Sequence, residues 1–208
     1  MTISLSDAGK RFNRDWIYRH FTYQFTAGNS YAITGPNGSG KSTLLQALSG
    51  SMMINEGQID WTLKNKKTEP EEVYNSVSIC APYLELIEEM TLEEFLEFHQ
   101  GFKPFLPGLT AKDIIALTGL EKAIHKQIRY FSSGMKQRVK LAQCILSDVP
   151  VVLLDEPCTN LDAAGISLYL SLINDYGKDR LIVVSSNDET EYPFCSEVVN
   201  ISDYKLSK

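Results

Sequence analysis

The chain has 208 residues, 43% hydrophobic and 22% charged, an ordinary globular composition that can bury a core without disulfides. Its 20 basic and 26 acidic residues give a net charge of −6 with no basic stripe, which argues against a nucleic-acid partner. The longest apolar stretches, such as Val149 to Leu154, fall far short of the roughly 18 residues of a membrane-spanning helix. Met1 to Asp7 lacks the basic-then-apolar pattern of a signal peptide. The cysteines (Cys80, Cys144, Cys158, Cys195) and histidines (His20, His99, His125) show no ligand spacing and read as reduced thiols and ordinary side chains.

β-branched and aromatic residues predict strands at 2–5, 16–18, 21–25 and 30–34, with turn formers at Ala27-Gly28-Asn29. A glycine-rich segment follows at 35–40, then a helix carrying Leu44, Leu45 and Leu48 and ending near Gly50. Residues 57–79 read as strands split by the polar stretch 64–72. A capping box at Thr91 and Glu94 starts a helix with Leu92, Phe95, Leu96 and His99 on one face. Pro104 and Pro107 break the pattern, and Thr110 caps a second helix through about Thr118. A third begins near Ser133, with Met135, Val139, Ala142, Ile145 and Leu146 on its apolar stripe. An all-apolar strand at 151–154, a helix over 163–176 and strands at 181–185 and 198–201 complete the chain. Strands alternating with helices predict an α/β fold with a buried parallel sheet, interrupted by a helical subdomain over approximately 85–145.

Gly35-Pro36-Asn37-Gly38-Ser39-Gly40-Lys41-Ser42-Thr43 matches G-x-x-x-x-G-K-[ST] and lies between an apolar strand and an apolar-striped helix, the context a P-loop requires. Its glycines let successive amides curl toward a phosphate, and the helix start adds partial positive charge. Lys41 can reach the β- and γ-phosphates of a nucleotide, and the Ser42 hydroxyl can bind Mg²⁺. Asp155, ending the apolar strand, suits a second Mg²⁺ anchor through water, and Glu156 is placed to polarise the attacking water.

Phe131-Ser132-Ser133-Gly134-Met135-Lys136-Gln137-Arg138 resembles the signature of ABC ATPases, usually written L-S-G-G-Q. P-loop, signature, Leu154-Asp155-Glu156-Pro157 and Thr159-Asn160-Leu161-Asp162 follow in family order, so the resemblance covers essentially the whole chain as one ABC-type ATPase domain. It implies a RecA-like P-loop NTPase core, an N-terminal antiparallel β subdomain and an inserted helical subdomain presenting the signature. It also implies a head-to-tail homodimer or heterodimer, with ATP between the P-loop of one protomer and Ser132, Ser133 and Gly134 of the other. Adenine would stack on an aromatic residue ahead of the P-loop. Phe12 is the candidate and Trp16 the alternative, 29 and 25 positions before Lys41.

Three departures stand out. Ser133 and Met135 replace a glycine and a glutamine of the signature. The glutamine that touches Mg²⁺ in the family is missing from 79–91, where Pro82 or Tyr83 takes its place; Glu85 reads as a solvated or partner-facing carboxylate. Asn187 stands where the family carries its γ-phosphate histidine, and an amide can donate a hydrogen bond there but cannot exchange a proton. The resemblance implies the ATP-hydrolysing subunit of a transporter, peripheral on the cytoplasmic face of the cell membrane. A separate transmembrane permease would be its partner, docking near residues 82–98. The competing class is a slow ATP-gated regulatory clamp without transport, which the missing Gln and His favour and the intact Lys41, Asp155 and Glu156 oppose.

Overall fold

The structure, a computed structural model, describes residues 1–205, which divide into two units. The first comprises Met1–Ile79, Val149–Asp155 and the chain from Asp179 onward; the second comprises Cys80–Asp148 and Glu156–Lys178.

In the first unit, β1 (Thr2–Phe12) pairs antiparallel with β2 (Asp15–Thr26) and with β4 (Glu56–Leu63), which turns back into β5 (Lys66–Thr68). Alternation buries Ile3 and Leu5 on β1 and Tyr18, Phe21 and Phe25 on β2. Here β2 is one strand, not the two expected at 16–18 and 21–25. His20 takes a left-handed φ of 57° opposite register shifts in β1, and a bulge absorbs such a residue without ending the pairing. The polar stretch 64–72 likewise holds structure the sequence did not signal. Lys64 and Asn65, at φ 49° and 63°, make the tight turn between β4 and β5, and Pro70–Ser76 forms 3₁₀ helix.

A second sheet, largely parallel, runs in the order β6-β7-β8-β3-β9, from β3 (Ser30–Thr34), β6 (Val77–Cys80), β7 (Val151–Asp155), β8 (Leu181–Ser185) and β9 (Glu197–Asn200). β7 and β8 are buried along their whole length, as central parallel strands covered on both faces must be. Helix α1 (Lys41–Leu48) follows β3 through the glycine-rich loop. Its Leu44, Leu45 and Leu48 join one core with Ile33, Val151, Leu153, Leu181 and Val183, each such side chain contributing about 1.5–3 kcal/mol by burial. Trp61 on β4 donates its Nε1–H to the Leu48 carbonyl at 2.9 Å, satisfying one of the last carbonyls of α1. The C-terminal ends of β3, β7 and β8 thus lie side by side where the loop leads into α1.

The second unit is built on α2 (Leu92–Phe102), α3 (Ala111–Thr118), α4 (Ser133–Ile145) and α5 (Ala163–Tyr176). Reciprocal capping boxes start α2 (Thr91 with Glu94) and α3 (Thr110 with Asp113), and Gly119 ends α3 in the left-handed conformation. The expected stripe of α4 needs one correction: Met135 is only half-buried, and Gln137 is buried among Val139, Leu141 and Ala142. No described helix is long and apolar enough to cross a membrane.

Candidate functional site

The glycine-rich loop over 35–40, the candidate phosphate cradle, belongs to the first unit. Gly35 (φ 140°) and Gly40 (φ 108°) hold backbone angles that side chains rarely adopt. A Cβ at Gly40 would come within 2.1 Å of Ile17, and one at Gly35 within 2.8 Å of Ser39 Oγ. Gly40 begins α1 with no side-chain cap, so the first amides of the helix stay open to an anion. Lys41 is 5% exposed, and its Nζ donates to the Gly35 carbonyl at 2.7 Å. A neutral acceptor leaves the charge of a buried ammonium uncompensated, a costly arrangement that a nearby anion would relieve. Pro36, Asn37 and Gly38 are exposed around the cradle, while Ser42 and Thr43 are half-buried at its helical side.

Among the buried oxygens of this unit without a hydrogen-bond partner among the described residues are Ser39 Oγ in the loop, Asp155 Oδ1 at the end of β7 and Ser185 Oγ at the end of β8. Buried polar atoms are otherwise almost always satisfied, and a carboxylate oxygen left bare suits a cation or ordered water. With the Ser42 hydroxyl in the first turn of α1, these oxygens are donors of the kind that suit Mg²⁺. Asn187 lies directly on the loop: its Oδ1 accepts from the Gly35 amide at 3.2 Å, and its Nδ2 donates to Asn37 Oδ1 at 3.2 Å. The segment after it is capped by Asp188, which accepts from the Thr190 amide. Of the two aromatic candidates, Phe12 is 47% exposed with Lys10 Nζ 5.1 Å from its ring centre. Trp16 is half-buried under the guanidinium groups of Arg11 and Arg19, at 5.4 and 4.6 Å. Occupied faces make Trp16 the poorer stacking platform.

The second unit carries the other predicted residues. Ser132, Ser133 and Gly134 open α4 and line a cleft of about 390 Å³ with Met135, Arg138, Asn160 and Asp162. Ser132 Oγ caps the helix by accepting from the Met135 amide at 3.2 Å. Arg138 Nη2 pairs with Asp162 Oδ1 at 3.0 Å. The Gly165 amide and then this arginine hold the exposed Asp162 carboxyl below the usual carboxylate range. Glu156, directly after Asp155 in the chain, is half-buried at φ 44°, a strained angle for a residue with a side chain and one that concentrates at functional turns. Composition of the α4 stripe did not reveal Gln137, whose Nε2 donates to the Pro157 carbonyl at 2.7 Å and so ties the turn after Glu156 to the signature helix. In place of the family glutamine, Pro82 and Tyr83 are exposed with Leu84 and Glu85. Lys140 donates to the Pro82 carbonyl at 3.3 Å, and Lys136 pairs with Glu88.

The ABC transporter family model matches residues 18–159. Among curated relatives, a cytochrome c biogenesis ATP-binding export protein, CcmA, of Xylella fastidiosa is 34% identical over 70% of this chain and 65% of its own length. The thiamine import ATP-binding protein ThiQ of Salmonella paratyphi A is 32% identical over 92% of this chain and 86% of its own. Thus the chain spans just under two thirds of the first of these relatives and most of the second. Solved structures share the fold. A putative ABC transporter ATP-binding protein from Pyrococcus furiosus superposes with a TM-score of 0.81 at 20% identity, covering 99% of this chain and 100% of that one. A dimeric post-hydrolysis ATP-binding cassette, MJ0796, bound to ADP and Pi, gives 0.82 at 20% identity over 99% and 97%. With an antiparallel and a parallel sheet around a P-loop and a family match over most of its length, the chain belongs to the ATP-binding domains of ABC transporters, which are ATPases.

Proposed function

We propose that this chain is the ATP-hydrolysing subunit of a transporter whose membrane-spanning permease is a separate chain, working on the cytoplasmic face of the membrane. The observation that carries the nucleotide reading is the buried Lys41 ammonium, set in an uncapped glycine cradle and bonded to a neutral carbonyl. In this reading Gly35, Asn37, Gly38, Ser39, Gly40, Lys41, Ser42 and Thr43 hold the phosphates, and Phe12 stacks on adenine. Ser42 and Asp155 hold Mg²⁺, which when bound neutralises developing charge on the phosphates. Glu156 orients and polarises the attacking water. Asn187, already bonded to the loop at Gly35 and Asn37, reports the γ-phosphate through its amide.

Ser132, Ser133 and Gly134 then serve a second protomer in a head-to-tail dimer, offering hydroxyls and amides to the γ-phosphate held by the partner's loop. The exposed Tyr83, Leu84 and Ile87 offer the permease an apolar contact in the 82–98 segment. The export and import roles of the related CcmA and ThiQ support a transport role. Lys41→Ala tests the reading: nucleotide hydrolysis falls at least about a hundredfold, the loss expected for one oriented donor at a developing charge. Circular dichroism should stay that of the parent. Turnover at the parent rate would refute the site.

A further inference from the structure

We propose that Ser185 is a positioning residue for the metal end of the nucleotide site, sharing with Asp155 a water of the divalent cation's hydration shell. This rests on the nucleotide reading above. Asp155 and Ser185 are register partners on the adjacent parallel strands β7 and β8, so their side chains leave the same face of the sheet. Two residues earlier on the same face, Leu153 and Val183 are also partners, and both pack in the core with Leu44, Leu45 and Leu48 of α1. The same face at the strand ends therefore looks toward α1, which the cradle and Lys41 begin. Ser185 also neighbours Ile33, two residues before Gly35.

The chemistry of the pair is unusual. Ser185 is 0% exposed and Asp155 2% exposed. Yet Ser185 Oγ and Asp155 Oδ1 both lack a hydrogen-bond partner among the described residues, including each other. Leu181-Ile182-Val183-Val184 precedes the serine, so an apolar residue would complete the strand without leaving a bare hydroxyl. One water between the two side chains satisfies both atoms: it donates to the carboxylate and exchanges a hydrogen bond with the hydroxyl. Partners one step from the ion fix the orientation of its ligands, and their loss typically weakens metal affinity about 10–100-fold.

The test is binding of a fluorescent ATP analogue by the full chain, titrated with Mg²⁺ and repeated in EDTA. Ser185→Ala and Ser185→Val should raise the Mg²⁺ concentration for half-maximal enhancement roughly tenfold. Their metal-free nucleotide affinity should stay at the parent value. Ser185→Thr, which keeps the hydroxyl, should titrate like the parent. Val and Thr have the same shape, so their difference reads the hydroxyl even if the smaller Ala variant packs poorly. An unchanged Mg²⁺ titration in Ala and Val would overturn the assignment, as would an equal loss of affinity with and without metal. A parent chain that binds no nucleotide in either condition would overturn the nucleotide reading, and this assignment with it. A parent that binds, beside a Lys41→Ala control that does not, leaves Ser185 alone on trial.

Discussion

The two helices that the proposed reading sets against phosphate begin differently. α1 starts at a glycine with no side-chain cap, beside a buried ammonium and three buried oxygens that lack partners among the described residues. α4 starts at Ser132, whose hydroxyl already caps the helix, and the arginine lining its cleft is already paired with Asp162. The first gathers buried polar groups with few partners of their own. The second is an open surface whose polar groups are largely satisfied and which adds only hydroxyls and amides. In the proposed reading, charge that must be neutralised at close range falls to the first, and contacts that complete a site already charged fall to the second.

Asn187 gives the sharper break in that contrast, because it extends the first site through two hydrogen bonds to the loop. Asn187→Ala should lower turnover about tenfold, the equivalent of one hydrogen bond of roughly 1.4 kcal/mol. Asn187→His should raise it several-fold by adding a charge-assisted contact in the transition state. Steady-state ATPase rates on the three proteins check both. An alanine variant as fast as the parent, with unchanged melting, would detach Asn187 from the site.

A smaller effect belongs to the second unit. His99 sits between Phe95 and Phe105 with its Nε2 3.1 Å from Ser147 Oγ. Burial, with the Lys103 charge beside it, lowers its pKa from 6.5 to about 4. The folded chain therefore keeps the ring neutral where the unfolded chain protonates it. The stability this contributes is complete above 6.5 and is lost as pH falls from 6.5 toward about 4. Melting temperature should drop over that window, and His99→Gln should flatten the drop. A parent and variant with parallel pH profiles would refute this.

The first site was far more legible in the sequence than the second unit's packing, and the reason is range. The cradle and its helix are contiguous, and glycine spacing with an apolar strand before it and an apolar stripe after it leaves little freedom. Asp155 and Glu156 follow an apolar run for the same reason. The choice between Phe12 and Trp16 turns on Arg11 and Arg19, which reach Trp16 across the paired strands β1 and β2. Gln137 hides in the apolar stripe of α4 because its partner, Pro157, is 20 residues away in sequence. Ser185 was readable only as the end of a strand. Its likeness to Asp155 appears once the register sets the two side by side.

The central claim, that the α4 start completes the site of a second copy, is met most directly by measuring solution mass. On the proposed role of Glu156, Glu156→Gln removes the carboxylate that orients water while keeping its shape, so bound ATP should persist. Light scattering at saturating MgATP should then give twice the 23.4 kDa of the single chain, and the single-chain mass without nucleotide. Adding Ser132→Asp keeps a good helix cap and sets a negative charge against the γ-phosphate of the facing protomer. That double variant should bind ATP and stay at the single-chain mass. A Glu156→Gln protein that binds ATP yet remains at 23.4 kDa, or a double variant that dimerises as well as the single one, would contradict the account.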